Sequence, residues 1–278
     1  MIAESRSVRP RKGRGAMGRR PMIAGNWKMY KTPAEAVVLA QHIDNLILDD
    51  PRSVESVDIV VCPPFVDLKS VATVLEFDHA PMMLAAQNVF WEAEGAYTGE
   101  IAPGMLADLG CSYCIVGHSE RRQYFGETDA TVNKKVHALV AAGVTPIMCC
   151  GESLETRDAG GTEAFVREQV RAGLEGLTAD QAAEVVVAYE PIWAIGTGRI
   201  PTPEAANDVC RSIRATLGAA FGQPAAIRVR ILYGGSAKPE NLGLFMPEPD
   251  IDGALIGGAA LDAESFVSMV KTAAGFAE

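Results

Sequence analysis

The chain has 278 residues, 48% of them apolar, which is enough for one large α/β domain with a substantial core. Its formal charge of −10 is uneven: residues 1–20 carry seven Lys or Arg and one Glu, which leaves −16 on the remainder. An acidic body argues against nucleic acid as the main partner, because phosphate backbones require a cationic surface. No apolar run reaches the roughly 18 residues of a membrane span, so we expect no membrane association.

The first 21 residues are basic and have no hydrophobic periodicity, which predicts a disordered N-terminal extension ahead of a domain at 22–278. Three interpretations stay open: a true start at Met17 or Met22, a solvated tail, or an anion-binding arm. An organellar transit peptide would also be rich in Arg, but it would be amphipathic, and this segment has little apolar face.

Six cysteines lie mostly inside apolar runs, which favours buried thiols in a reducing compartment and predicts a cytoplasmic protein. Cys111 and Cys114 have the spacing of a zinc or redox pair. A single such pair is a weak signal, and no second pair occurs in the sequence.

From Met22 onward, short apolar runs alternate with stretches of helical periodicity. The apolar runs begin near Ile23, Asp58, Leu84, Tyr113, Thr145, Val185, Val229 and Ile251. The predicted helices begin at Pro33, Asp67, Pro103, Ala130, Gly161, Pro203, Pro239 and Asp262. Eight such repeats predict parallel strands with right-handed crossovers in a single-domain (β/α)8 barrel. An open doubly wound sheet is the alternative, but no Gly-x-Gly-x-x-Gly follows the first strand.

The most informative segment begins at the end of the sixth strand. Residues 185–188 are apolar at every position, which predicts a strand buried on both faces with Glu190 at its carboxyl end. We expect burial to raise the pKa of Glu190 toward that of a working general base. A structural ion pair is the alternative interpretation. A mobile lid should follow, formed by Pro191, Ile192, Trp193, Ala194, Ile195, Gly196 and Thr197.

Other reactive side chains follow other strands at the same predicted end of the barrel. Lys28 follows strand one and His118 follows strand four, although either alone could be a surface ion pair or a core histidine. Glycine pairs follow strands seven and eight, where barrels often bind phosphate. Together these groups predict enolisation of a small phosphorylated carbonyl compound. Glu190 would remove a carbon-bound proton, His118 would hydrogen-bond the oxygens, and Lys28 would stabilise negative charge. No metal-ligand spacing occurs among them, so no metal is expected.

The motifs in these segments resemble those of the triosephosphate isomerase family, in its order and spacing, across essentially residues 22–278. The matching segments are Asn26-Trp27-Lys28, Ala86-Gln87-Asn88, Gly95-Ala96-Tyr97-Thr98-Gly99-Glu100, Gly117-His118-Ser119-Glu120-Arg121-Arg122, Ala188 through Gly198, Tyr233-Gly234-Gly235-Ser236 and Gly257-Gly258. The resemblance implies a TIM barrel that interconverts dihydroxyacetone phosphate and glyceraldehyde 3-phosphate, in glycolysis and gluconeogenesis, without a cofactor. A neutral imidazole at a helix N-terminus and a water-excluding lid are known features of that family.

The resemblance implies a role for each residue that stands at a matching position of a family motif. Glu190 is the base, His118 is the neutral electrophile, and Glu120 supports Lys28. The implied substrate-binding residues are Asn26, Lys28, Gly196, Ser236, Gly257 and Gly258. The loop around Thr98 would contact a second subunit, which predicts a homodimer.

Another phosphate-binding barrel enzyme and a non-catalytic barrel are the two alternatives to a triosephosphate isomerase. Phosphate-binding barrels include other enzymes, such as epimerases, but these do not account for the motifs around Glu190 and His118. A non-catalytic barrel with a surface-binding role is the second hypothesis, and loss of a reactive residue would have favoured it. Arg199-Ile200-Pro201 departs from the family's usual lid end, which concerns the rate of lid motion rather than the reaction.

Overall fold

A computed structural model describes residues 19–195 and 199–277. Eight strands in this part of the chain form a closed barrel in sequence order, and every neighbouring pair is parallel. The strands are β1 (Met22–Asn26), β2 (Asp58–Cys62), β3 (Met83–Ala86), β4 (Tyr113–Val116), β5 (Thr145–Cys150), β6 (Val186–Tyr189), β7 (Arg230–Tyr233) and β8 (Gly253–Ile256). The predicted (β/α)8 barrel is confirmed, and the open sheet is excluded because β1 pairs with β8.

Helices surround the barrel. Within the described residues they are α1 (Pro33–Leu48), α2 (Pro51–Ser56), α3 (Phe65–Phe77), α4 (Pro103–Asp108), α5 (Ser119–Phe125), α6 (Asp129–Ala141), α7 (Leu154–Asp158), α8 (Thr162–Leu174), α9 (Ala179–Ala182), α10 (Pro203–Phe221), α11 (Gln223–Ala226), α12 (Leu242–Phe245) and α13 (Ala263–Ala274). Short 3₁₀ turns occupy Ile192–Ala194 and Gly258–Leu261.

Local capping explains where several helices begin. At α1, Thr32 and Glu35 form a capping box and Pro33 occupies the first turn, so the predicted start is confirmed. The helix predicted from Pro239 begins three residues later, at Leu242. The reason is a side-chain turn: Oδ1 of Asn241 accepts from the backbone N–H of Lys238 at 2.8 Å, which satisfies that donor outside a helix.

The apolar core has two layers separated by the strands. Along β1, Met22 and Ala24 belong to the cluster inside the barrel, whereas Ile23 belongs to the larger cluster between the strands and the helices. β6 is buried along its whole length, as the unbroken apolar run predicted. Both faces of the strands are therefore apolar, and polar groups concentrate at the two ends of the barrel.

The amino ends of the strands form a charged floor. Arg20 pairs with Asp58 at 2.7 Å, and Arg19 pairs with Asp252 at 2.6 Å. The sequence prediction had assigned both arginines to the basic extension, and they are bonded to the barrel here; residues 1–18 lie outside the described residues. Within the described ranges, no helix combines the length and apolar character that crossing a bilayer requires.

Candidate active site

A cavity of about 250 Å³ opens at the carboxyl ends of the strands, opposite the charged floor. The predicted site residues that line it are Asn26, Lys28, His118, Glu190, Ser236, Gly257 and Gly258. They come from the ends of β1, β4, β6, β7 and β8, so barrel closure brings together residues up to 232 positions apart in sequence. Gly196, the remaining predicted substrate contact, lies outside the described residues.

Glu190 follows β6 directly, and only 2% of its surface is exposed. Its backbone N–H donates to the carbonyl of Cys150 at 2.7 Å, which continues the strand ladder by one residue. A Cβ at position 234 would lie 2.8 Å from Cγ of Glu190. The first glycine after β7 therefore leaves the space that this carboxylate occupies.

Two donors hold the Glu190 carboxylate. Oε1 lies 3.0 Å from Nε2 of His118, and Oε2 accepts the backbone N–H of Ser119 at 2.9 Å. Burial alone raises the pKa of Glu190, but His118, the Ser119 N–H and Lys28 together outweigh burial and lower the pKa below its usual value. The expectation of a raised pKa was therefore wrong. Sequence alone could not show these donors, and they keep the base ionised.

His118 is the N-cap of α5, and its Nδ1 accepts the backbone N–H of Glu120 at 3.2 Å. Burial lowers the pKa of His118, but the neighbouring carboxylates of Glu190 and Glu120 outweigh it and raise the pKa. The bond at Nδ1 requires a free lone pair, so we infer the neutral tautomer whose Nε2–H donates to Glu190. The raised pKa depends on contact with Glu190 and would fall if that carboxylate moved to a substrate.

Lys28 reaches the same cavity, and its Nζ lies 2.6 Å from Oε1 of Glu120. Its backbone is left-handed, with φ of 52°, which is unfavourable for a residue with a side chain. Two side chains hold this conformation: Oδ1 of Asn26 accepts the Lys28 N–H at 3.0 Å, and Nε2 of Gln87 donates to the Lys28 carbonyl at 2.8 Å. Gln87 also donates to the carbonyl of Cys62 at 2.9 Å, which ties the ends of β1, β2 and β3 together.

The glycine pair after β8 leads into the 3₁₀ turn Gly258–Leu261. A Cβ on Gly257 would lie 3.3 Å from Cε of Lys28, whereas a Cβ on Gly258 would meet no atom within 4 Å. The turn therefore presents its backbone to the cavity beside an ammonium group, an arrangement suited to an anion.

The described part of the predicted lid, Pro191 to Ile195, contains the 3₁₀ turn Ile192–Ala194. Nε1 of Trp193 donates to Oε1 of the buried Glu152 at 2.8 Å, and the Arg157 guanidinium lies 4.2 Å from the centre of the Trp193 ring. Oγ of Ser236 donates to the Ala194 carbonyl at 2.7 Å, which links the lid to the loop after β7. The predicted lid residues Gly196 and Thr197 lie outside the described residues.

Sequence reasoning assigned no role to Gln87, Arg122 or Glu152, although Gln87 and Arg122 stand in motifs that resemble those of the family. Two of them have remote partners: Gln87 is 59 residues from Lys28, and Glu152 is 41 residues from Trp193. The signal for Gln87 and Glu152 was position, because both come shortly after a strand at the carboxyl end of the barrel, whereas Arg122 lies in α5.

The cysteines contribute backbone carbonyls to this arrangement, and the Cys149 thiol lies beside the Glu190 carboxylate. All six are free and buried. Burial raises the pKa of the Cys111 thiol to about 12, which makes it a poor nucleophile at neutral pH. Among the described residues, no three His, Cys, Asp or Glu side chains are grouped so that they could hold a metal ion.

Fold and site together define an enzyme of the (β/α)8 barrel class, with a buried carboxylate and an imidazole facing a glycine-lined cavity. The family model described as triosephosphate isomerase matches residues 21–273. Proteins named triosephosphate isomerase are similar over most of the chain. The relative from Carboxydothermus hydrogenoformans is 52% identical over 91% of this chain and 98% of its own length. The relative from Streptococcus equi subsp. zooepidemicus is 51% identical over the same shares. This chain belongs to the triosephosphate isomerase family, and it is an isomerase.

Proposed function

We propose that Glu190, His118 and Lys28 carry out the family's reaction in this chain, the reversible interconversion of dihydroxyacetone phosphate and D-glyceraldehyde 3-phosphate. The observation that carries the proposal is that all three side chains line one cavity with the glycine pair after β8. A phosphate bound at Gly257, Gly258 and Ser236 would place the three-carbon chain between His118 and Glu190. The non-catalytic alternative has no support, because every reactive group that the chemistry requires is present in this cavity.

The reaction begins when the Glu190 carboxylate leaves His118 and Ser119 and takes a proton from the carbon next to the carbonyl. The electron pair of that C–H bond moves onto the carbonyl oxygen and gives an enediolate. Nε2–H of His118 donates to this oxygen, and Lys28 stabilises its negative charge. A proton then passes between the two oxygens through His118, and Glu190 returns its proton to the neighbouring carbon. No external acid, oxidant or cofactor is needed.

The lid has two roles: it holds the phosphate group of the substrate, and it excludes water from the site. An enediolate beside a phosphate ester can eliminate that phosphate, so the substrate must be held with its phosphate in plane and shielded from solvent. The Ser236 bond to Ala194 supports this role, since it joins the lid to the phosphate loop. Gly196 would contribute an N–H to the phosphate.

The loop after β3 projects as a finger, and we propose that it contacts a second subunit in a homodimer. The backbone N–H of Phe90 donates to the carbonyl of Ile101 at 2.8 Å, which closes the base of the finger. Thr98 at its end is exposed, and Tyr97 beside it is 45% exposed. A partner would bury this apolar surface. We place the enzyme in glycolysis and gluconeogenesis in the cytoplasm, where its six free thiols remain reduced.

A coupled assay tests the proposal: turnover of glyceraldehyde 3-phosphate by the full chain, with no added metal or nucleotide. Fast turnover that is lost in Glu190→Gln supports the assigned reaction and base. Turnover that survives Glu190→Gln would assign the proton transfer to another group, and an inactive full chain would contradict the proposed reaction.

A further inference from the structure

The guanidinium of Arg122 joins two strand ends beneath the candidate site. Nε donates to the Gly117 carbonyl at 2.8 Å, and Nη2 donates to the Cys149 carbonyl at 3.3 Å. Nη1 pairs with Oδ1 of Asp129 at 2.6 Å, and only 16% of the Arg122 side chain is exposed. One planar fork therefore binds two backbone acceptors and a carboxylate in fixed directions.

These contacts lie where the pairing between β4 and β5 ends. The β4–β5 ladder ends with Val116 opposite Met148, so the next residues, Gly117 and Cys149, are one step beyond it. Gly117 is left-handed, with φ of 72°, and a Cβ there would lie 3.0 Å from the Cys149 carbonyl oxygen. Arg122 thus replaces ladder hydrogen bonds at the one residue that separates β4 from His118.

We propose that Arg122 is a positioning residue for catalysis, which sets the direction of the His118 imidazole through Gly117. His118 follows Gly117 directly and caps α5, the helix that carries Arg122. The hydrogen bond from Arg122 to Gly117 therefore links α5 back to the residue just before His118. If the Gly117 carbonyl moved, the imidazole would rotate away from the substrate oxygens. The proposal rests on the proposed role of His118.

Arg122→Lys tests this, because lysine retains the charge but cannot bind two carbonyls and Asp129 in one plane. We expect kcat to fall by about 10²-fold, as is typical of small displacements in a catalytic geometry. Inhibition by inorganic phosphate should change less than about twofold, because the phosphate loops follow β7 and β8. The ¹⁵N signals of the His118 ring should shift, which reports its position independently of activity. Asp129→Asn is the milder second variant, and should produce smaller changes of the same kind.

Arg214→Lys is the matched control. Arg214 also binds two carbonyls, those of Ala226 and Val229, both at 2.8 Å, together with the carboxylates of Asp250 and Asp252, but at the opposite end of the barrel. The Arg214→Lys substitution should lower the melting temperature without changing kcat or the ¹⁵N signals of the His118 ring. Unchanged kcat and ring signals in Arg122→Lys would overturn the proposal, as would an equal loss of kcat in Arg214→Lys. If the unsubstituted enzyme were inactive, the proposed function would fail, whereas the ring signals would still test the positioning.

Discussion

Oε1 of Glu190 lies 3.0 Å from Nε2 of His118, so the candidate base and the candidate electrophile are hydrogen-bonded to each other. Each group thereby stabilises the protonation state that the other needs: the carboxylate stays ionised, and the imidazole keeps its proton on Nε2. Substrate must separate the two, and the freed carboxylate and N–H then face the reacting carbons and oxygens.

Shortening the base tests its reach. Glu190→Asp keeps the charge but withdraws the carboxylate by one methylene, so we expect kcat to fall by about 10²-fold or more while a phosphorylated substrate analogue still binds. Steady-state kinetics and a competitive inhibition constant measure both effects. Unchanged kcat would assign the proton transfer to a different carboxylate.

The pair also predicts a pH effect. The pKa of Glu190 is lowered, so loss of kcat/KM through protonation of this base should occur only below the usual glutamate value of 4.5. In His118→Gln the ring N–H that helps to lower this pKa is removed, while burial, which raises it, remains. The acid limb of the residual kcat/KM should therefore move to higher pH. A limb that stays in place, or moves down, would show that His118 does not stabilise the carboxylate.

The buried carboxylate of Asp67 is expected to destabilise the protein at neutral pH, so its replacement should increase stability. Its side chain is fully buried, and neither carboxylate oxygen has a hydrogen-bond partner among the described residues. Burial, with Glu35 nearby, raises its pKa above the ordinary 3.8, so the ionised group destabilises the fold at neutral pH and the penalty disappears as protonation occurs at lower pH. Asp67→Asn should stabilise the protein by about 1 kcal/mol at pH 7, or about 2–4 °C in melting temperature. The difference should shrink as the pH approaches 4, and the exposed Asp108→Asn should show neither effect.

The ion pairs of Arg19 and Arg20 predict a difference in stability between chains that start at Met17 and at Met22. A chain starting at Met17 retains Arg19 and Arg20, whereas one starting at Met22 leaves Asp252 and Asp58 without these partners. We expect the shorter chain to lose about 1–3 kcal/mol of stability, with kcat unchanged because the floor lies opposite the cavity. Urea unfolding of both chains measures the loss. Equal midpoints would show that the two ion pairs do not stabilise the barrel.

Thr98 tests the subunit contact. Thr98→Arg places a long charged side chain at the end of the finger, so we expect the mass in solution to halve and turnover to fall with it. Light scattering coupled to size exclusion measures the mass. Thr73→Arg, at an exposed position on α3, is the control and should change neither quantity. If Thr98→Arg leaves both mass and turnover unchanged, the finger is not the interface.

The periodic alternation of apolar runs and helical stretches was sufficient to predict the barrel, because each repeat has to bury one strand and one helix face locally. The reactive residues were predictable for a related reason: parallel strands bring their carboxyl ends to one face, so a residue's place after a strand determines where it lies. Glu190, His118 and Lys28 all met this condition, and they line the same cavity.

Only the tertiary structure decided how these residues are held and charged. The lowered pKa of Glu190 depends on His118 and on the Ser119 N–H 71 residues away, and the left-handed Lys28 depends on Gln87. Sequence spacing carries no information about such contacts, because they arise from barrel closure and from side-chain direction. The sequence by itself therefore determined the fold and the end of the barrel at which the candidate reactive groups lie, while their orientation and protonation came from packing between strands that are distant in the chain.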